Sequence, residues 1–276
     1  MRDDTSTDLD RLEAQLAAWA RGIGDELHFW NAWLGSHGLQ WPEDFSRRMD
    51  PEAPLDDRMA DLARRLGQER VRILDVGAGP VTILGYRLPG VALEITATDA
   101  LAPLYAALLA RHGVTPPIAT RFAPAEDLSV LFPGGSFDLV HCRNALDHSF
   151  DPLRGIEEML AVVRKGGFVL LSHFRNEAEN GQYNGLHQWN FELREGRFTI
   201  WNRSGAVDVA TALRCPCRLT CHDEGNAVEV LIEKTGEAPP ASEAALRGRL
   251  ARYLEAFVRV LGSQQLPAAG PAQAGH

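Results

Sequence analysis

The stretch Ile73-Leu-Asp-Val-Gly-Ala-Gly-Pro80 constrains this chain more than any other. It reads as a short apolar strand running into two glycines and a proline. Glycine has no Cβ and tolerates positive φ, so a strand ending this way lets main chain come very close to a ligand. Pro80 suits the first turn of a following helix, where its missing N–H costs nothing. A second strand, Leu93-Glu-Ile-Thr-Ala-Thr98, ends at Asp99. Adjacent strand ends lie side by side in an α/β sheet, so this carboxylate can accept both hydroxyls of a ribose.

The rest of the chain alternates in the same way. Residues 100–112 read as a helix with Leu101, Leu104, Tyr105, Leu108 and Leu109 on one face. A short third strand is expected over 121–125, a fourth over Phe137-Asp-Leu-Val-His-Cys142, a helix over 156–164 and a fifth strand over Phe168-Val-Leu-Leu-Ser172. The pattern predicts a doubly wound α/β domain with a mainly parallel sheet. Residues 187–192 and 197–202 flank Arg194-Glu-Gly196 as a hairpin, with Trp189 and Trp201 as a possible cross-strand pair. A helix over 206–213 and strands over 218–222 and 227–233 follow.

Residues 1–68 form a helical cap in this reading, with Leu16, Trp19 and Ile23 at helical spacing and the aromatic stretch His28-Phe-Trp-Asn-Ala-Trp-Leu34 broken by Gly35 and Gly38. Residues 69–238 are the α/β core, interrupted by an insertion at about 174–205. Residues 239–265 give an amphipathic helix, and the Pro-, Ala- and Gly-rich residues 266–276 a disordered tail.

A formal net charge of −9 argues against a chain built to hold nucleic acid. No apolar run is long enough to span a membrane. The polar, acidic start resembles neither a secretory nor a transit peptide, so a cytoplasmic location is expected. Cys215, Cys217 and Cys221 match no paired zinc knuckle, and Cys217 and Cys221 fit one face of a strand.

Two nucleotide readings of the glycine loop compete. A dinucleotide fold wants Gly-x-Gly-x-x-Gly, but Gly77-x-Gly79 continues as Pro80-Val-Thr82. Asp75, Gly77 and Gly79 instead resemble motif I of the class I S-adenosylmethionine-dependent methyltransferases, with Val81 where a third glycine is often seen. Asp99 matches that family's ribose acid. Ala125-Glu-Asp-Leu128 resembles its adenine loop, although Pro124 stands where an aspartate is frequent. Phe137–Asn144 and Arg164–Leu171 resemble the fourth-strand motif and the approach to the fifth strand. The resemblance covers roughly residues 70–235. It implies a Rossmann-like seven-stranded sheet, mainly parallel with an antiparallel last strand. It also implies S-adenosylmethionine as cofactor, held by Asp75, Gly77, Ala78, Gly79, Asp99, Ala100, Ala125, Glu126 and Asn144.

Methyl transfer to a hydroxyl or protonated amine needs a base, and histidine is the usual one near neutral pH. His148, placed like the substrate-facing histidine of several small-molecule members of that family, is the first candidate, and His173 the second. His28, Tyr183, His187 and Trp189 are candidates for the substrate pocket. Asp147 and Asp151 are not accompanied by the acidic set a metal-dependent enzyme needs, so no metal is expected. The expected function is methylation of a small molecule on oxygen or nitrogen by a monomer or homodimer, without nucleic-acid or membrane partners. The alternatives are a cofactor-binding protein with lost or redirected chemistry, or methylation of a protein or carrier-bound substrate.

Overall fold

The computed structural model describes residues 4–237 together with Gly248 and Ala251. Apart from those two residues, the expected C-terminal helix and tail lie outside the described residues. Three helices come first, α1 (Asp4–Ser36), α2 (Pro42–Met49) and α3 (Asp57–Leu66). α1 runs unbroken through the aromatic stretch and Gly35, contrary to the expected interruption. The chain leaves it at His37, Gly38 and Leu39, all at positive φ, just ahead of Pro42. α3 opens on Asp56, whose carboxylate accepts from the Arg58 and Met59 N–H groups, and closes on left-handed Gly67. Its buried Met59, Leu62 and Ala63 pack under the sheet with Ile73, Leu139 and Leu170.

The α/β part follows as β1 (Arg70–Val76), β2 (Ala92–Asp99), α4 (Ala102–His112), β3 (Arg121–Phe122), α5 (Leu128–Leu131), β4 (Phe137–Arg143), α6 (Pro152–Val162) and β5 (Val163–Phe174). After the insertion come β9 (Cys217–Asp223) and β10 (Ala227–Lys234). These strands form one seven-stranded sheet in the order β3-β2-β1-β4-β5-β10-β9. Its pairings are parallel except along β10, which is antiparallel to both neighbours. Both faces of a parallel sheet must be covered, and the strands are accordingly apolar in both directions. Val140, Val169, Leu171 and Val230 face α6, while Ile73, Leu139 and Leu170 face α3. Cys217, Leu219 and Cys221 line the inward side of β9, as a strand reading of those residues requires.

The crossover from β1 to β2 departs from expectation. No helix follows Pro80; residues 77–91 are turns, bends and isolated bridges. Gly79, Gly85 and Gly90 all adopt positive φ there, which an α-helix does not allow. Leu84 and Leu88 still bury themselves beside α3. The Leu55 and Tyr86 N–H groups, donating to Arg87 and Ala53 carbonyls, tie the segment to the chain before α3. α3 thus fills the place of a crossover helix.

The insertion contains α7 (Glu177–Asn180) and a separate antiparallel sheet of β6 (Asn190–Arg194), β7 (Arg197–Asn202) and β8 (Gly205–Asp208), followed by α8 (Val209–Ala212). Glu195 and Gly196, both at positive φ, make the tight turn that the right-handed strand twist favours. The helix expected over 206–213 is a strand for its first part. Phe191, Phe198 and Ile200 seat this small sheet on the α6 face of the large one. The strand order reverses between β1 and β4, and a crevice opens beyond their C-terminal ends at that point.

Among the described residues, no helix is long and apolar enough to cross a membrane.

Candidate active site

Parallel register brings Val76 beside Thr98 and Cys142, so the glycine loop, Asp99 and the turn after β4 emerge side by side. Asp75 itself turns inward. Its carboxylate is 2% exposed, accepts from the Thr82 hydroxyl at 2.5 Å and lies 2.7 Å from His141 Nδ1. Asp75 therefore ties down the loop that carries the glycines, its carboxylate engaged within the protein.

Gly77 and Gly79 sit at φ 69° and 64°. A Cβ on Gly77 would fall 2.2 Å from Ala145 Cβ, and one on Gly79 2.8 Å from the Trp30 indole. The Gly79 N–H donates to Asp99 Oδ2 at 3.1 Å, and the Leu101 N–H to Oδ1 at 2.8 Å. Burial nevertheless pushes the Asp99 carboxyl up to about 6, against those two donors.

All nine residues expected to hold the cofactor border one cavity of about 730 Å³, a size suited to a nucleotide-like ligand with a small acceptor. α1 roofs it. Trp30 donates from Nε1 to Glu26 Oε1 at 2.7 Å, and Tyr105 of α4 reaches the same oxygen at 3.3 Å. The Arg48 guanidinium lies 5.4 Å from the Trp33 ring centroid and donates to the Val81 carbonyl at 3.1 Å. Glu126 is buried in the wall, accepts from the Phe150 and Asp151 N–H groups, and is pushed up to about 8 by burial. Asn144, at φ 45°, uses its side-chain oxygen to accept from the Phe174 N–H.

A 3-10 turn at Leu146–His148 follows β4. It places His148 Nε2 3.1 Å from His187 Nδ1, which lies 2.6 Å from Asp147 Oδ2. Burial raises Asp147, but the two imidazoles outweigh it and hold the carboxyl at about 2. The bond to Asp147 raises His187 above an ordinary histidine, with burial opposing. Ligand atoms of Asp147, His148 and His187 all fall within 4.8 Å of one another.

Of the other candidates, only His148 and His187 border the cavity. His173 is 1% exposed, 4.6 Å from the Phe191 ring, with neither ring nitrogen hydrogen-bonded. Trp189 is buried and donates to the Ser149 carbonyl at 2.9 Å; Asn190, not Trp189, is paired with Trp201. Tyr183 stacks under Arg203, and His28 is exposed on α1. Glu26 and Arg48 border the site without having been singled out in the sequence, and Asp147, weighed there only as a metal ligand, braces it. A helical stripe that reads as core also reads as a roof, and a carboxylate next to a histidine in sequence gives no sign of pairing with a histidine farther along.

A family described as a methyltransferase domain matches residues 74–171. The ubiquinone biosynthesis O-methyltransferase of Xanthomonas campestris pv. campestris is 32% identical over 190 residues, 61% of this chain and 78% of that protein. The protein of that name from Xanthomonas euvesicatoria pv. vesicatoria is 31% identical over the same shares. The chain belongs to the class I S-adenosylmethionine-dependent methyltransferases. Its cofactor is S-adenosylmethionine. The methyltransferase is also similar to the CurJ carbon methyltransferase, at TM-score 0.43 and 17% identity, over 61% of this chain and 50% of that one. The cradle suits the cofactor, since the main chain of Gly77 and Gly79 and the Asp99 carboxylate, held in place by main-chain donors, border one cavity.

Proposed function

We propose that this methyltransferase methylates a hydroxyl oxygen of a small molecule in the cytoplasm, with His148 or His187 of the cavity wall taking the hydroxyl proton. The observation that carries the reading is the meeting of both imidazoles with the glycine loop in one aromatic-roofed cavity. The O-methyltransferase names of the Xanthomonas relatives favour oxygen over nitrogen, and the charge of −9 disfavours nucleic acid as acceptor.

When bound, S-adenosylmethionine would supply a methyl carbon activated by a positively charged sulfur, with a neutral thioether as the leaving group and the acceptor oxygen's electron pair forming the new bond. Asp99 would accept the ribose hydroxyls, and the main chain of residues 77–79 would line the cofactor. Glu126 would stand by the adenine. Trp30 and α1 exclude water, and the loop and roof together hold the reactants in line.

Incubation with methyl-labelled S-adenosylmethionine and a panel of phenols, alcohols and amines tests the assignment. Label on an oxygen supports it; label confined to nitrogen, or cofactor binding with no labelled product, refutes it.

Asp99→Ala should weaken S-adenosylhomocysteine binding by roughly 1–3 kcal/mol in calorimetry, the cost of a lost buried acceptor. An unaltered affinity would remove Asp99 from the site. The ionised carboxyl accepts both hydroxyls, whereas protonation turns one of its oxygens into a donor and weakens the pair of contacts. Since Asp99 is pushed up to about 6, affinity in the native protein should begin to fall as the pH drops through about 6, rather than near the ordinary carboxylate range. Titrations at neutral and mildly acidic pH read this directly, and a flat profile down to the ordinary range would contradict it.

A further inference from the structure

We infer that His187, contributed by the insertion, is the catalytic residue that takes the acceptor's proton, and that Asp147 is the positioning residue that fits it for the task. This rests on the hydroxyl-methylating reading above.

The insertion is clamped to the turn after β4 at three successive residues. His187 Nδ1 meets Asp147 Oδ2 at 2.6 Å, the Gln188 N–H donates to the Asp147 carbonyl at 3.1 Å, and Trp189 Nε1 donates to the Ser149 carbonyl at 2.9 Å. With Asp147 only 1% exposed, an ionised carboxylate facing a bare ring nitrogen would be strongly repulsive, so Nδ1 carries the hydrogen and donates it. That fixes the tautomer and leaves Nε2 as the nitrogen free to take a proton.

His148 is differently placed. Its Nε2 faces His187 Nδ1 at 3.1 Å and Asp147 Oδ2 at 3.3 Å, and its Nδ1 faces Glu26 Oε2 at 3.7 Å, so each of its ring nitrogens already faces a polar partner. His187 also borders a second cavity of about 420 Å³ beside Phe174, Glu177 and Asn226, which His148 does not reach. In the step itself the acceptor's O–H bond breaks, its electron pair stays on oxygen, and the proton bonds to Nε2, giving an imidazolium paired with Asp147.

The same three side chains are of kinds that bind metals. Two donor atoms on one tetrahedral zinc lie about 3.3 Å apart, given bonds of about 2.0–2.1 Å. The 2.6 Å separation of Asp147 and His187 is shorter and is a hydrogen-bond distance.

The groups facing His187 are Asp147 and His148 from the turn, Glu177 of α7 at 3.9 Å, and Glu26 of α1. Asp147 is the one that raises its proton affinity most. Asp147→Asn should therefore move the acid limb of the rate–pH profile to lower pH.

The decisive experiment compares phenol with 4-nitrophenol, using labelled S-adenosylmethionine above neutral pH, where the nitrophenol is already ionised. His187→Gln should cut transfer to phenol by on the order of 10²–10⁴ and leave transfer to 4-nitrophenol nearly intact. His148→Gln should show a smaller phenol-specific loss. Equal losses on both phenols in His187→Gln, a larger phenol-specific loss in His148→Gln, or a stoichiometric divalent metal bound by the native protein and missing from Asp147→Asn would each overturn the inference. Where the native chain labels neither phenol, the hydroxyl reading is decided by the wider panel of alcohols and amines. The Asp147–His187 pair is then judged by imidazole titration in NMR, where His187 must ionise above an ordinary histidine and drop in Asp147→Asn. An ordinary value in both proteins overturns it.

Discussion

Gly77→Ala should lower stability by about 2–5 kcal/mol, combining the cost of a left-handed L-residue with that of an overpacked contact. Gly77 sits at φ 69°, and the added methyl would lie 2.2 Å from Ala145 Cβ, closer than carbon atoms approach. Either the glycine loop or the turn bearing His148 must then shift. S-adenosylhomocysteine affinity should fall with stability, by about tenfold for each 1.4 kcal/mol lost from binding. A second substitution, Ala145→Gly, separates the two contributions. It removes the overlap but not the backbone strain, so the double variant should recover only part of the stability. Urea unfolding and calorimetry read both quantities. A Gly77→Ala protein as stable as the parent would contradict the loop geometry.

The second large effect comes from His173. It is completely enclosed between the sheets, and burial lowers its pKa to about 4. The depressed value means that the folded protein keeps it neutral while the unfolded chain takes up a proton near 6.5. Stability is therefore intact above about 6.5 and declines as pH falls toward 4, by about 3 kcal/mol from this group. Asp99 and Glu126, both raised by burial, act in the opposite sense, so the measurement is a difference. His173→Phe, which keeps an aromatic ring against Phe191, should lose that part of the acid sensitivity when urea midpoints near neutrality and near pH 4.5 are compared. Identical pH slopes in the two proteins would show that His173 is not held neutral. Such a residue, shut away from the cavity, cannot serve as the base that its position at the end of the fifth strand suggested.

The strand–glycine–strand–acid signal was legible because it is local, with a short apolar run, a turn that needs glycine and a second run. The sheet and its antiparallel β10 agree with the expectation. The missing crossover helix was not legible. Pro80 does favour a helical first turn, but Gly79, Gly85 and Gly90 all take positive φ nearby, and Leu84 and Leu88 find their burial against α3 instead. The expected helix over 206–213 fails at its start, where pairing with β7 makes residues 205–208 a strand. The pairing of Asp147 with His187 depends on tertiary contact between segments forty residues apart in sequence, and no periodicity records that.

The contact between Gly22 of α1 and Gly185 of the insertion has a wider meaning. A methyl at Gly22 would lie 2.4 Å from the Gly185 carbonyl carbon. Bare main chain on bare main chain makes a seam with no side chain to cushion it, so the first helix and the segment bearing His187 cannot drift independently. Any variant that reshapes the insertion to admit a bulkier guest must also reposition the rod above it, and selectivity in this molecule is therefore a joint property of its beginning and its middle.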